Sequence, residues 1–120
     1  MIQLTDREAE IMRVLWELGP CTVSEVRAAL KSTFAYTTVQ TMLRILETKG
    51  FAAHEEDGRQ HRFRALVAES AAQKTALKHL LGKLFRGSSE LLFTQLVSDQ
   101  ELKPEQIRRM RKLLAEKKKE

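Results

Sequence analysis

Residues 36–67 read YTTVQTMLRILETKG and then FAAHEEDGRQHRFRALV. The period of the apolar residues changes at Gly50. Before it, Val39, Met42, Leu43 and Leu46 fall at i, i+3, i+4 and i+7, which predicts a helix over about 36–49 with one buried side. The opposite side carries Thr37, Thr41, Arg44 and Thr48, flanked by Gln40 and Ile45. A merely solvated helix side usually carries Lys–Glu pairs instead. After Gly50 two short segments, 51–56 and 59–66, flank Asp57-Gly58, a strong hairpin turn signal. In the second arm Arg62 and Arg64 point one way, and Phe63 and Ala65 the other.

Two helices precede this stretch. Thr5 and Glu8 make a capping box, and Ile11, Val14, Leu15 and Leu18 follow as a buried stripe with Trp16 at its edge. Gly19-Pro20 ends that helix. Thr22 and Glu25 repeat the box and open a helix over roughly 22–32, with Val26, Ala29 and Leu30 inward. Lys31-Ser32-Thr33-Phe34 is a polar connection with one aromatic anchor. Three helices and a hairpin predict a winged helix-turn-helix over residues 1–67, in a mostly α chain with a small β-hairpin.

Residues 68–120 read as a helical dimerisation region. Leu77, Leu80, Leu81 and Leu84 form one stripe, and Gly87-Ser88-Ser89 interrupts it. Leu92, Phe93, Leu96 and Val97 form a second. Lys103-Pro104-Glu105 starts a last helix with Ile107, Met110, Leu113 and Leu114 inward. Three short helices bury little surface alone. Their leucines imply a partner, and the simplest is a second copy, giving a homodimer.

Composition excludes several classes. The 120 residues are 42% hydrophobic and 31% charged, a globular balance. No apolar run approaches the ~18 residues of a membrane span, so no membrane insertion is expected. The start MIQLTDREAE resembles no secretory signal, which makes the cytoplasm the expected location. One cysteine, Cys21, precludes an internal disulfide. It stands at a helix start, where the dipole can activate a thiol. The favoured reading is an inert, partly buried one. His54, His61 and His79 are scattered, and no nucleophile elbow, zinc-protease motif or phosphate loop occurs. No enzyme, cofactor or metal site is therefore expected. The net charge of +5 lies entirely after residue 67, because residues 1–67 hold nine Lys and Arg against nine Asp and Glu. Net charge alone does not argue for nucleic acid; placement does.

Placement favours double-stranded DNA. A helix entering the major groove reads bases from its N-terminal turns. Thr37, Thr38, Gln40 and Thr41 stand there. Gln pairs with adenine, and Thr methyls meet the thymine methyl. Arg44, one turn on, reaches a phosphate or guanine. Arg59, beside the hairpin turn, reaches phosphate or the minor groove. Arg62 and Arg64 either support it or form a solvated strand face. Glu55, Glu56 and Asp57 oppose phosphate and limit the wing to a shallow contact. Two other functions compete: a winged-helix protein-interaction module, and a ligand-sensing regulator with an effector pocket between the two halves.

The stretches LTDREAEIMRVLWELGPCTVSEV (4–26) and YTTVQTMLRILETKGF (36–51), His54-x-x-x-Gly58-Arg59 and Leu66-Val67 resemble the penicillinase-repressor family. These are the β-lactamase and methicillin-resistance repressors, with copper-responsive relatives. The resemblance implies a homodimeric repressor that binds a palindromic operator through Thr37, Thr38, Gln40, Thr41 and the wing residue Arg59. In the antibiotic-resistance branch a membrane-bound β-lactam sensor triggers proteolytic inactivation. The chain departs from the family in four places. Ile45 stands where an arginine is usual, with Arg44 adjacent. Ala35 replaces the capping serine of the recognition helix. The Asn-Phe bond cleaved in the family corresponds to Gln95-Leu96. The cysteine cluster of the copper branch is absent. The segment Leu91–Val97 is nevertheless expected to be the vulnerable point of the dimer.

Overall fold

The computed structural model describes residues 3–31 and 33–119. Two compact units divide the chain at Ala76 and Leu77. The first contains α1 (Asp6–Leu18), β1 (Cys21–Thr22), α2 (Val23–Ala29), α3 (Tyr36–Thr48), β2 (Ala52–Asp57), β3 (Gln60–Ala65) and the first half of α4 (Glu69–Leu84). The second contains the rest of α4, α5 (Ser89–Asp99) and α6 (Pro104–Lys118).

Local chemistry sets the first two helix starts. Thr5 Oγ1 accepts from the Glu8 amide at 3.2 Å, and Glu8 returns the bond to the Thr5 amide at 2.8 Å. Thr22 and Glu25 do the same at 3.2 and 3.0 Å. Each box satisfies amides that a helix start otherwise leaves orphaned. α2 stops at Ala29, and Ser32, where the expected range ended, lies outside the described residues. Ala35 gives α3 no side-chain cap.

The strands form an antiparallel sheet in the order β1-β3-β2. The hairpin pairs Ala52 with Ala65 and Asp57 with Gln60, and turns at Gly58 with φ of 63°. That left-handed conformation costs glycine nothing. β1 was not foreseen. It pairs Cys21 with Phe63 and Thr22 with Arg62, and so ties the start of α2 to the wing.

The core lies between α1, α2, α3 and one face of this sheet. Ile11, Met12, Leu15, Val26, Val39, Leu43, Leu46, Ala52 and Phe63 are buried. Each of the larger apolar side chains contributes about 1.5–3 kcal/mol by leaving water. Leu18 does not join them, being 60% exposed, whereas Met12 does. Leu18 has the right angular position but stands in the last turn of α1, past the packed part of the stripe. Ala29 of the α2 stripe is likewise exposed, and Leu30 is half-buried. Trp16, at the edge of the core, donates its indole N–H to the Val67 carbonyl at 2.8 Å.

In the second unit Gly87 closes the turn after α4 by donating to the Leu81 carbonyl, and Ser88 caps α5 through the Leu91 amide. No residue of α4, α5 or α6 is buried. Leu77, Leu80, Leu84, Phe93, Leu96, Leu113 and Leu114 are exposed, while Leu81, Leu92, Ile107 and Met110 are half-buried. No helix among the described residues is long and apolar enough to cross a membrane.

Candidate nucleic-acid interface

The side of α3 turned away from the core carries the polar residues singled out above. Thr37, Thr41 and Arg44 are exposed, and Thr38 and Gln40 half-buried. Val39, Leu43 and Leu46 hold the other side in the core, which fixes the rotation of the helix. Arg59 sits in the hairpin turn and is exposed. A small cleft of about 100 Å³ separates wing and helix. Its walls are Tyr36, Gln40 and Arg44 from α3, and Arg59, Gln60 and His61 from the hairpin, with Val23 and Phe63 beneath. The fold thus brings Arg59 to the same cleft as Gln40 and Arg44. Thr37, Thr38 and Thr41 lie along the same helix outside its walls.

The polar side chains of this surface are unengaged. Among the described residues, none of Thr37, Thr38, Gln40, Thr41, Arg44 and Arg59 uses its side chain in a hydrogen bond or ion pair. Among the described residues Arg13, on α1, is likewise unengaged, but the other arginines of the winged-helix unit differ in this respect. Arg7 lies over the Phe34 ring at 5.2 Å, and Arg27 Nε donates to the Phe34 carbonyl at 2.8 Å. These two fix the α2–α3 connection.

Arg62 and Arg64 do not support Arg59. Strand alternation puts them on the opposite face of the hairpin from His61 and Phe63. There Arg62 bonds Asp57 at 3.1 Å, Glu25 at 3.2 Å and the Pro20 carbonyl at 3.3 Å. Arg64 pairs with Glu55 at 3.7 Å. The Asp57 bond and the Glu25 charge hold the Arg62 guanidinium still more firmly protonated than usual. Glu25 is lowered in turn, first by the Thr22 amide of its capping box and further by Arg62. Two of the three wing carboxylates, Glu55 and Asp57, are thereby neutralised within the wing rather than presented to a phosphate.

The remaining candidates resolve plainly. Cys21 is buried, and burial, with the Glu25 charge, pushes its thiol up; the activated-thiol alternative therefore fails. Its Sγ–H donates to the Gly19 carbonyl at 3.2 Å. Among the described residues no cluster of three or more His, Cys, Asp or Glu could hold a metal ion. Two histidines that seemed scattered in sequence are adjacent in space. The His54 and His61 rings stack at 4.3 Å with a 15° interplanar angle. This pairing had no signal in residue spacing, because it is set by the hairpin register, in which His54 opposes Phe63 and Glu56 opposes His61.

Gln95 and Leu96 are exposed, within the hydrogen-bonded body of α5.

Known proteins supply the comparison. Residues 4–116 match the family profile described as penicillinase repressor. The penicillinase repressor of Bacillus licheniformis is 28% identical over 116 residues, which cover 95% of this chain and 91% of that one. The methicillin resistance regulatory protein MecI of Staphylococcus aureus is 21% identical over 96% of this chain and 95% of its own. A solved MarR family protein from Bacillus stearothermophilus superimposes on 98% of this chain and 77% of its own, with a TM-score of 0.52 and 25% identity. The matched family is one of transcriptional repressors, not of enzymes. With its winged helix-turn-helix and a match that runs almost end to end, the chain belongs to the penicillinase repressor family.

Proposed function

We propose that this DNA-binding repressor acts as a homodimer in the cytoplasm, laying α3 in the major groove of a palindromic operator and the tip of the wing on the adjoining backbone. The observation that carries this reading is the unengaged surface of α3 and Arg59. A rigid core orients it, and among the described residues its donors and acceptors have no partner. Thr37, Thr38, Gln40 and Thr41 are assigned to base edges. Arg44 and Arg59 are assigned to phosphates, with Arg44 also within reach of a guanine. Such a division gives sequence preference to the helix and salt-dependent affinity to the arginines.

Dimerisation is assigned to residues 68–120, whose leucines have no core of their own. Joining two copies through Leu77, Leu80, Leu84, Phe93, Leu96, Leu113 and Leu114 covers those side chains and holds two recognition helices about one helical turn of DNA apart. Derepression follows from losing that joint. A sensor-protease pathway like that of the antibiotic-resistance branch would cut at Gln95-Leu96. In α5 that bond becomes accessible only by local unwinding, so cleavage needs an opening of the helix first.

In vitro selection of duplexes bound by the full chain tests the reading. The expected product is an inverted repeat whose half-sites lie one helical turn or a multiple apart. Sedimentation should show a dimer at micromolar concentration. Recovery of unrelated sequences, with a monomer in solution, would overturn it.

A further inference from the structure

The His54–His61 stack occupies the angle between recognition helix and wing, and the contacts assigned above do not use it. His54 Nδ1 donates to Glu47 Oε1 at 2.6 Å, which ties β2 to α3. That bond fixes the hydrogen on Nδ1, because a carboxylate can only accept. The other side of the His54 ring meets His61 at 4.3 Å and Phe63 at 5.3 Å. His61 is thereby held without any hydrogen bond of its own: among the described residues its nitrogens have no partner. It is half-buried and forms part of the cleft wall facing Gln40, Arg44 and Arg59.

The charges around it are mixed. α3 contributes Arg44, Tyr36 and, behind His54, Glu47; the turn contributes Arg59; β2 contributes Glu56 as the register partner of His61. From the β1–α2 side come buried Cys21, which opposes Phe63, and Glu25, which is paired with Arg62 on the far face of the hairpin. Arg44 and Arg59 line the same cleft as His61. A phosphate seated between the two guanidinium groups supplies an acceptor for an imidazolium N–H.

We infer that His61 is a further DNA-contacting residue, which binds a backbone phosphate in the cleft as imidazolium and so couples DNA binding to proton uptake, with His54 and Glu47 as its positioning residues. The inference rests on the DNA-binding reading above and adds a regulatory consequence to it. Because the bound state favours the charged form, affinity rises as pH falls through the range where the bound imidazole gains its proton. It levels off once the free chain is protonated too.

The test measures affinity of the full chain for a fluorescein-labelled, mixed-sequence duplex of about 30 base pairs, three turns of B-form DNA. Anisotropy is followed at fixed ionic strength from roughly pH 6 to pH 8.5, the span in which imidazole changes charge. Wild-type affinity should tighten about three- to tenfold as pH falls, the effect of up to one linked proton. His61→Gln should flatten the profile near the wild-type high-pH value. His61→Lys, permanently charged, should bind at high pH about as tightly as wild type at low pH. His54→Gln, which removes the ring that His61 stacks on, should bind more weakly than wild type at low pH and so lose part of the slope. His79→Gln, in α4, should change nothing.

Circular dichroism establishes that each variant folds. If His61→Gln does not, the Lys variant and calorimetric proton uptake by wild type in buffers of different ionisation enthalpy decide. A flat wild-type profile, absence of proton uptake, or a wild-type slope in His61→Gln overturns the inference and leaves the DNA-binding reading intact. A wild-type slope in His54→Gln overturns the positioning role. Failure to bind any duplex at any pH overturns both readings.

Discussion

Arg59 and Arg62 stand three positions apart and do opposite things. Among the described residues Arg59 has no partner, whereas Arg62 is held by Asp57, Glu25 and a backbone carbonyl. Arg59→Ala should therefore weaken binding to all DNA sequences alike and lower the slope of log affinity against log salt by about one. Arg62→Ala should leave that slope unchanged and loosen the β1–α2 junction instead; anisotropy across a salt series separates the two. Single-residue chemistry also governs stability at Glu8, which is 5% exposed. Its carboxylate takes the Lys49 ammonium at 2.8 and 2.9 Å as well as the Thr5 amide. Burial pushes Glu8 up, but the Lys49 and Thr5 bonds outweigh it and hold the group below the usual carboxylate range. Its stabilisation is therefore complete above the unfolded value of about 4.3. It is lost as pH falls through the lower folded value. Lys49→Met leaves the buried carboxylate short of its cation and should cost about 1–3 kcal/mol at neutral pH. The deficit should shrink on acidification below the ordinary carboxylate value, which urea denaturation at two pH values measures.

At the scale of elements, α3 starts without a side-chain cap. Ala35 has the extended backbone of an N-cap, φ −68° and ψ 150°, but no oxygen to offer. Ala35→Ser should supply one and raise stability by about 0.5–1 kcal/mol, read as a shift in the urea midpoint at constant slope. The elements legible in the sequence are those with local causes. Both capping boxes, the Gly58 turn and the Val39–Leu43–Leu46 stripe are short-range patterns, and each formed where its residues stand. What stayed hidden is what depends on register between distant segments. β1 is two residues long, too short for any periodicity, and exists only because Phe63 and Arg62 pass beside it. The His54–His61 stack arises diagonally across a hairpin. Alternation placed Arg62 and Arg64 together, yet it could not say that Glu25, from another helix, waits on that face. Of the candidate interface, the polar side of α3 was legible from its unusual composition. The cleft was not, because it needs the wing folded back beside the helix.

For the whole molecule, the division of labour proposed for the two compact units leads to a truncation experiment. A chain ending at Ala76 keeps every buried residue of the winged-helix core. It should fold, sediment as a monomer and bind operator far more weakly than the full chain, since it loses the second half-site. Substituting Leu84 and Leu113, 66% and 65% exposed, by Glu in the full chain should give the same loss of affinity without unfolding the winged helix. If these variants stay dimeric, the dimer joint lies elsewhere than on these leucines.

The bond between Trp16 and Val67 has an optical consequence. The chain has one tryptophan, and its indole N–H is engaged at the last residues before α4. All indole fluorescence thus comes from the point where the wing hands the chain over to the following helix. An emission that holds its wavelength when DNA is added says that residues 66–68 stay fastened to α1. A shift to the red says that the fastening has let go, and it is read from the native chain with no dye attached.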